Sequence, residues 1–97
     1  MAYVITPEGV QTEVAPKNGS TFTLEECQGF VGGFIENVPL PNKPIGFDVM
    51  LCDEEYLIKK MDGQEIHINM YASILAHQEI YGNVFTCNAT PEGEYIE

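Results

Sequence analysis

The chain has 97 residues, of which 44% are hydrophobic and 20% are charged, a composition typical of a single globular domain spanning 1–97. Fifteen acidic residues face four lysines, and the net charge is −11. This charge excludes free nucleic acid and anionic membranes as partners, because both are bound through clustered basic side chains. The excess carboxylates either solvate the surface or imitate nucleic acid in a basic protein groove, and composition does not separate the two.

Two short β-rich runs open the chain. Tyr3–Thr6 and Val10–Val14 flank Pro7-Glu8-Gly9, in which proline fixes φ and glycine permits a turn. The pattern predicts an N-terminal hairpin. The same stretch has neither a basic leader nor a long apolar run, so we expect a cytoplasmic protein.

An amphipathic helix is predicted over Thr23–Val38. Thr23 and Glu26 have the spacing of a capping box, and Phe22 can pack on Cys27 as a hydrophobic staple. Apolar residues continue at helical spacing until Pro39 ends the pattern.

Three glycines interrupt this predicted helix, at Gly29, Gly32 and Gly33. Each costs about 0.5–1 kcal/mol relative to alanine in a helix interior, so the sequence must gain something in return. Close packing of the helix on a strand is the interpretation we favour. The alternative is a break at Gly32-Gly33 that exposes backbone amides to a ligand, although no phosphate-loop spacing is present.

Strands resume after Pro44. The stretch FDVMLCD alternates in polarity and predicts a half-buried strand, which ends at Asp53-Glu54-Glu55. These adjacent carboxylates lack the spacing of a calcium loop and indicate a solvated turn. Asp62-Gly63 then lies between two β-capable runs within residues 56–68 and predicts a second hairpin.

A second, shorter helix is predicted at about 70–77. Asn69 can cap it, and Met70, Ile74 and Leu75 are expected to point inward. The stretch YGNVFTC follows as the last strand, and 88–97 is expected to be a frayed acidic tail. Together these elements predict an α+β fold: a mostly antiparallel sheet of about five or six strands, a main helix and a short second helix.

Catalytic and metal chemistry have little support in the sequence. A nucleophilic thiolate needs an electropositive, partly exposed site, whereas Cys27, Cys52 and Cys87 lie in apolar patterns that packing explains. His67 and His77 have no paired spacing typical of a zinc site. We therefore expect no enzyme activity, no metal and no cofactor.

Several of these segments, in this order and over most of the chain, resemble domain-of-unknown-function family DUF3846 of phages, plasmids and other mobile elements. The most specific part of the resemblance is a signature that begins at Leu24 and runs through Gln28 to Val31-Gly32-Gly33, Ile35 and Glu36. Asn69-x-x-Ala72 and Gly82-Asn83-Val84 support it. One departure is the stretch YLIKKMDGQEIHIN, which looks expanded into a hairpin and lacks a proline usual in the family. The family brings no established activity; it implies a mobile-element origin and an accessory or counter-defence role.

Three hypotheses follow for function. The first is non-enzymatic binding of a host protein in the host cytoplasm, through an acidic or edge-strand surface. The second is sequestration of a small nucleotide-like signal at a homodimer interface, where amides near Gly32-Gly33 and lysines would meet phosphate. The third is a DNA mimic that occupies a basic groove. The candidate binding residues are Gly32, Gly33, Asp53, Glu54 and Glu55.

Overall fold

The computed structural model describes residues 1–44 and 46–97. Within them the chain forms the strands β1 (Ala2–Ile5), β2 (Gln11–Val14), β3 (Ile35–Asn37), β4 (Val49–Asp53), β5 (Val84–Ala89) and β6 (Tyr95–Ile96). The helices are α1 (Leu24–Val31), α2 (Tyr56–Met61) and α3 (Met70–Ala76).

The strands form one sheet in the order β2-β1-β5-β4-β3, with β6 added to the end of β5. All neighbouring strands are antiparallel. The predicted α+β fold with an antiparallel sheet of five or six strands is confirmed. The N-terminal hairpin is also present, as β1 and β2, with the amide of Thr6 donating to the carbonyl of Val10 at 3.0 Å.

The central strands are buried on both faces of the sheet. Because side chains alternate along a strand, Leu51 and Phe85 lie on the face that α1 covers. There they pack with Cys27 and Val31 of that helix. The other face carries Met50, Cys52 and Val84 against Ala72 and Ala76 of α3. The strand predicted to be half-buried is therefore buried on both sides, because helices cover both faces.

The start of α1 follows the prediction and its end does not. Thr23 caps the helix, and the Glu26 side chain accepts from the Thr23 amide to complete the capping box. The helix ends at Val31 because Gly32 adopts the left-handed conformation, with φ of 84°. Among the residues predicted to continue it to Val38, Ile35–Asn37 instead form β3, which pairs with β4.

Helix α2 replaces the second predicted hairpin. Asp62 is its C-cap and Gly63 has a φ of 83°, so the Asp-Gly pair ends a helix and does not turn a hairpin. Both structures need a residue that tolerates positive φ, which is why this signal is ambiguous.

Helix α3 lies where predicted and is capped by Asn69, whose side chain accepts from the Ala72 amide at 3.1 Å. Its inward residues differ from the prediction. The small side chains of Ala72 and Ala76 are buried, whereas Met70 and Ile74 are exposed and Leu75 is partly buried. Residues 88–97 are not a frayed tail, because Tyr95 and Ile96 of β6 pair with β5.

Candidate functional site

The structure brings three of the five predicted site residues together at the end of α1. The Gly32 carbonyl accepts a 2.9 Å hydrogen bond from Lys59 Nζ of α2. A Cβ placed on Gly33 would lie 2.7 Å from Asp53 Oδ1 and 3.0 Å from Lys59 Nζ. Gly33 therefore lacks a side chain because the carboxylate and the ammonium occupy that space.

Asp53 is a structural group and not a solvated turn residue, which corrects the prediction. It is 5% exposed and forms an ion pair with Lys59 through Oδ2. Its other oxygen accepts from the Glu55 amide at 2.9 Å. A carboxylate this buried needs such partners, since burial of an unpaired charge is costly. The side chains of Glu54 and Glu55 lie outside this contact; Glu54 is exposed and Glu55 is half-buried.

The backbone amides of the glycine pair are already used. Gly32 and Gly33 both donate to the Gln28 carbonyl, at 2.8 and 3.2 Å, as part of the helix C-terminus. An anion at this loop would have to displace these bonds and separate Lys59 from Asp53. The alternative interpretation of a break at Gly32-Gly33 is correct for the backbone, but the freed donors expected for a phosphate are engaged.

A cleft of about 360 Å³ adjoins this junction, and both Gly32 and Gly82 line it. Its lining includes the carboxylates of Glu8, Asp53 and Glu65, with Lys59 as a cation. The cleft is therefore acidic overall, which also opposes an anionic ligand.

Helix α2 is held to the domain by its polar and aromatic side chains. Lys59 contacts Asp53 and Gly32 on one side. On the other side Lys60 Nζ donates to the Tyr81 hydroxyl at 2.8 Å and lies 4.3 Å from the centre of its ring. The Tyr56 ring stacks on the Tyr81 ring with 5.6 Å between ring centres, and the Tyr56 hydroxyl donates to the Glu79 carbonyl.

The hydroxyl of Tyr81 raises the pKa of Lys60 by accepting its hydrogen bond, so Lys60 is charged at neutral pH.

The apolar side chains of α2 face solvent. Leu57 is 55% exposed, Ile58 56% and Met61 85%, and the helix has no buried residue. Exposed carboxylates lie at both ends, on Glu54 and Asp62. We call these five residues the α2 surface. Its polarity is the reverse of that of an ordinary surface helix, which buries its apolar stripe. Sequence reasoning missed it because this segment was predicted to be a hairpin.

The thiols do not form a reactive site. Burial raises the pKa of Cys27 to about 11 and the pKa values of Cys52 and Cys87 to about 12, so all three stay protonated at neutral pH. His67 and His77 are exposed. In residues 1–44 and 46–97, no group of three or more His, Cys, Asp or Glu side chains is placed to hold a metal ion.

Comparisons with known proteins identify the family alone. The family described as Domain of unknown function (DUF3846) matches residues 1–97, so the chain belongs to it. No curated protein and no solved structure matches the chain. Across the described part of the chain, none of the helices has the length and apolar character needed to span a membrane.

Proposed function

We propose that this member of the DUF3846 family is a non-enzymatic binding protein of the host cytoplasm that recognises a basic host protein through the α2 surface. The observation that supports this proposal is the reversed polarity of α2, with both lysines turned toward the domain and Leu57, Ile58 and Met61 toward solvent. Groups of large apolar side chains on a surface are typical of sites that a partner covers.

The energetics favour a covered surface. Burial of a Leu, Ile or Met side chain stabilises by about 1.5–3 kcal/mol, and more than half of the surface of each of these three residues stays in water in the free protein. A partner that covers Leu57, Ile58 and Met61 recovers it on binding. Protein interfaces commonly combine an apolar centre with a polar rim, and Glu54 and Asp62 supply that rim here.

The negative surface charge favours a basic partner. All acidic residues except Glu26, Asp53 and Glu55 are exposed, so the net charge of −11 acts at the surface. Such a surface attracts a basic protein and repels an acidic one, and it raises the rate of encounter at low salt.

The other two functions have weaker support. A DNA mimic would bind through its carboxylates and gives no role to the exposed apolar side chains of α2. A nucleotide sponge needs the amides of Gly32 and Gly33, which donate to Gln28. The mobile-element origin implied by the family resemblance makes a host defence component the first partner to test.

The test compares two equally exposed apolar residues. Ile58 and Val10 are each 56% exposed, but Val10 lies in the β1–β2 turn. Tagged wild type, Ile58→Glu and Val10→Glu are used to capture proteins from host lysate at low and high salt, and each captured protein is identified and titrated after purification. We expect Ile58→Glu to weaken the Kd about tenfold or more, as loss of a central contact does, and Val10→Glu to leave it unchanged. Equal binding by wild type and Ile58→Glu would refute the α2 surface as the site.

A further inference from the structure

The largest groove described lies between α1 and the end of the edge strand β2, and no part of the proposed function uses it. Its volume is about 740 Å³, within the range of pockets that bind ligands. Val14 and Ala15 line it on the strand side. Glu25, Gly29 and Phe30 line it on the helix side.

Gly29 is the residue of α1 that packing does not explain. A Cβ built there meets no atom within 4 Å, and its φ lies outside the left-handed region, so neither crowding nor backbone conformation requires glycine. An interior helix glycine nevertheless weakens the helix. What glycine provides at this position is an open groove wall that another backbone can approach closely.

The groove has apolar walls, and its rim carries two carboxylates, of Glu25 and Glu26, and one cation, Lys17, so that the rim is negative overall. Val14 and Phe30 are half-buried and pack against the core cluster that α1 covers. The carboxylate of Glu26 is occupied, since it accepts from the amides of Thr23 and Lys17, whereas Glu25 is exposed. An apolar side chain can therefore lie between the walls while a neighbouring cation meets Glu25.

Beside the groove, β2 is the last strand of the sheet and pairs only with β1 among the described strands. An edge strand presents backbone donors and acceptors on its outer side, and extended peptides add to such edges. A segment that leaves the groove at Val14 can continue beside β2 in extended conformation.

We propose that this groove binds an extended peptide segment of another protein, in which a branched apolar residue lies between Val14 and Phe30 and an adjacent basic residue pairs with Glu25. The net charge of −11 favours such a segment over a second copy of this chain, which would bring equal negative charge. The groove is separate from the α2 surface, so either site can exist without the other.

The probe is a capped pentapeptide that alternates lysine with valine, titrated into the ¹⁵N-labelled full chain and followed by NMR. A peptide with glutamate in place of lysine is its charge control. We expect the lysine peptide to shift amide signals at residues 14, 15, 17 and 18 and at 23–30, and the glutamate peptide to leave them unchanged. Lysine-peptide shifts confined to other regions, their absence, or equal binding of the glutamate peptide would overturn the proposal.

Variants of Gly29 separate binding from stability. Gly29→Gln places a long side chain over the groove, and we expect it to weaken the Kd about tenfold, the effect of a steric misfit of one side chain, without lowering the melting temperature. Gly29→Ala adds one methyl group and should retain binding. Unchanged binding by Gly29→Gln would overturn the groove site. Ile58→Glu should bind the lysine peptide as wild type does, so that a failure of the α2 surface is told apart from a failure here.

Discussion

A single methyl group at Gly33 tests how the glycine pair, Asp53 and α2 depend on one another. In Gly33→Ala the new Cβ lies 2.7 Å from Asp53 Oδ1, whereas ordinary contacts of a Cβ begin at 3.4 Å. The carboxylate must therefore retreat by about 0.7 Å, since atoms at this distance repel steeply. That movement strains its bonds to the Glu55 amide and to Lys59.

The expected cost combines two effects. Overpacking of a tight site costs about 1–3 kcal/mol, and a weakened hydrogen bond to a buried carboxylate costs a similar amount. Lys59 is partly exposed, so water compensates some of the loss. We expect Gly33→Ala to lower the free energy of unfolding by about 2–3 kcal/mol.

Gly29→Ala is the matched control within the same signature segment. No atom lies within 4 Å of its new Cβ, so the variant should gain about 0.5–1 kcal/mol from the better helix propensity of alanine. Urea unfolding followed by circular dichroism measures both variants. Wild-type stability of Gly33→Ala, or a change of stability in the same direction in both variants, would show that Asp53 does not require glycine at position 33.

Two further predictions concern Asn69 and the thiols. The buried Asn69 amide group donates to the carbonyls of Ile5 and Gly82, and its oxygen caps α3. Asn69→Ala should therefore lower the free energy of unfolding in urea by about 2–4 kcal/mol. A loss below about 1 kcal/mol would contradict this role. Burial raises the pKa values of Cys52 and Cys87 from 9.0 to about 12. Between these pH values the thiols ionise in the unfolded chain but stay protonated in the folded one. The contribution of the buried thiols to stability is therefore full below pH 9 and is lost as the pH rises toward 12. The free energy of unfolding should fall over this window, and the fall should be smaller in Cys87→Ala than in wild type; equal slopes would contradict the assignment.

Local signals predicted the elements whose determinants are short in sequence. The capping box at Thr23 and the Asn69 cap each join residues three apart, so the starts of α1 and α3 were correct. The apolar spacing from Leu24 to Val38 was misleading. Phe34 and Ile35 fit a helical period by chance, while Gly32 ends the helix in a left-handed conformation.

The candidate site depended on long-range contacts that no local pattern encodes. Gly33 is a glycine because of Asp53 and Lys59, which lie far from Gly33 in the sequence and reach it only when β3 pairs with β4. The outward face of α2 was missed for a related reason, since its direction is set by contacts of Lys59 and Lys60 with Gly32 and Tyr81. Sequence therefore placed Gly32, Gly33 and Asp53 among the site residues without showing that they form one structural junction.

The most direct test of the proposed function is binding of one purified host partner to wild type and to Ile58→Glu, measured side by side at low salt. We expect Ile58→Glu to bind with a Kd weaker by about tenfold or more, and Val10→Glu to retain the wild-type Kd. Both variants add one negative charge at an equally exposed position, so a general charge effect cancels. Equal Kd values for the two variants would contradict the claim that α2 is the binding surface.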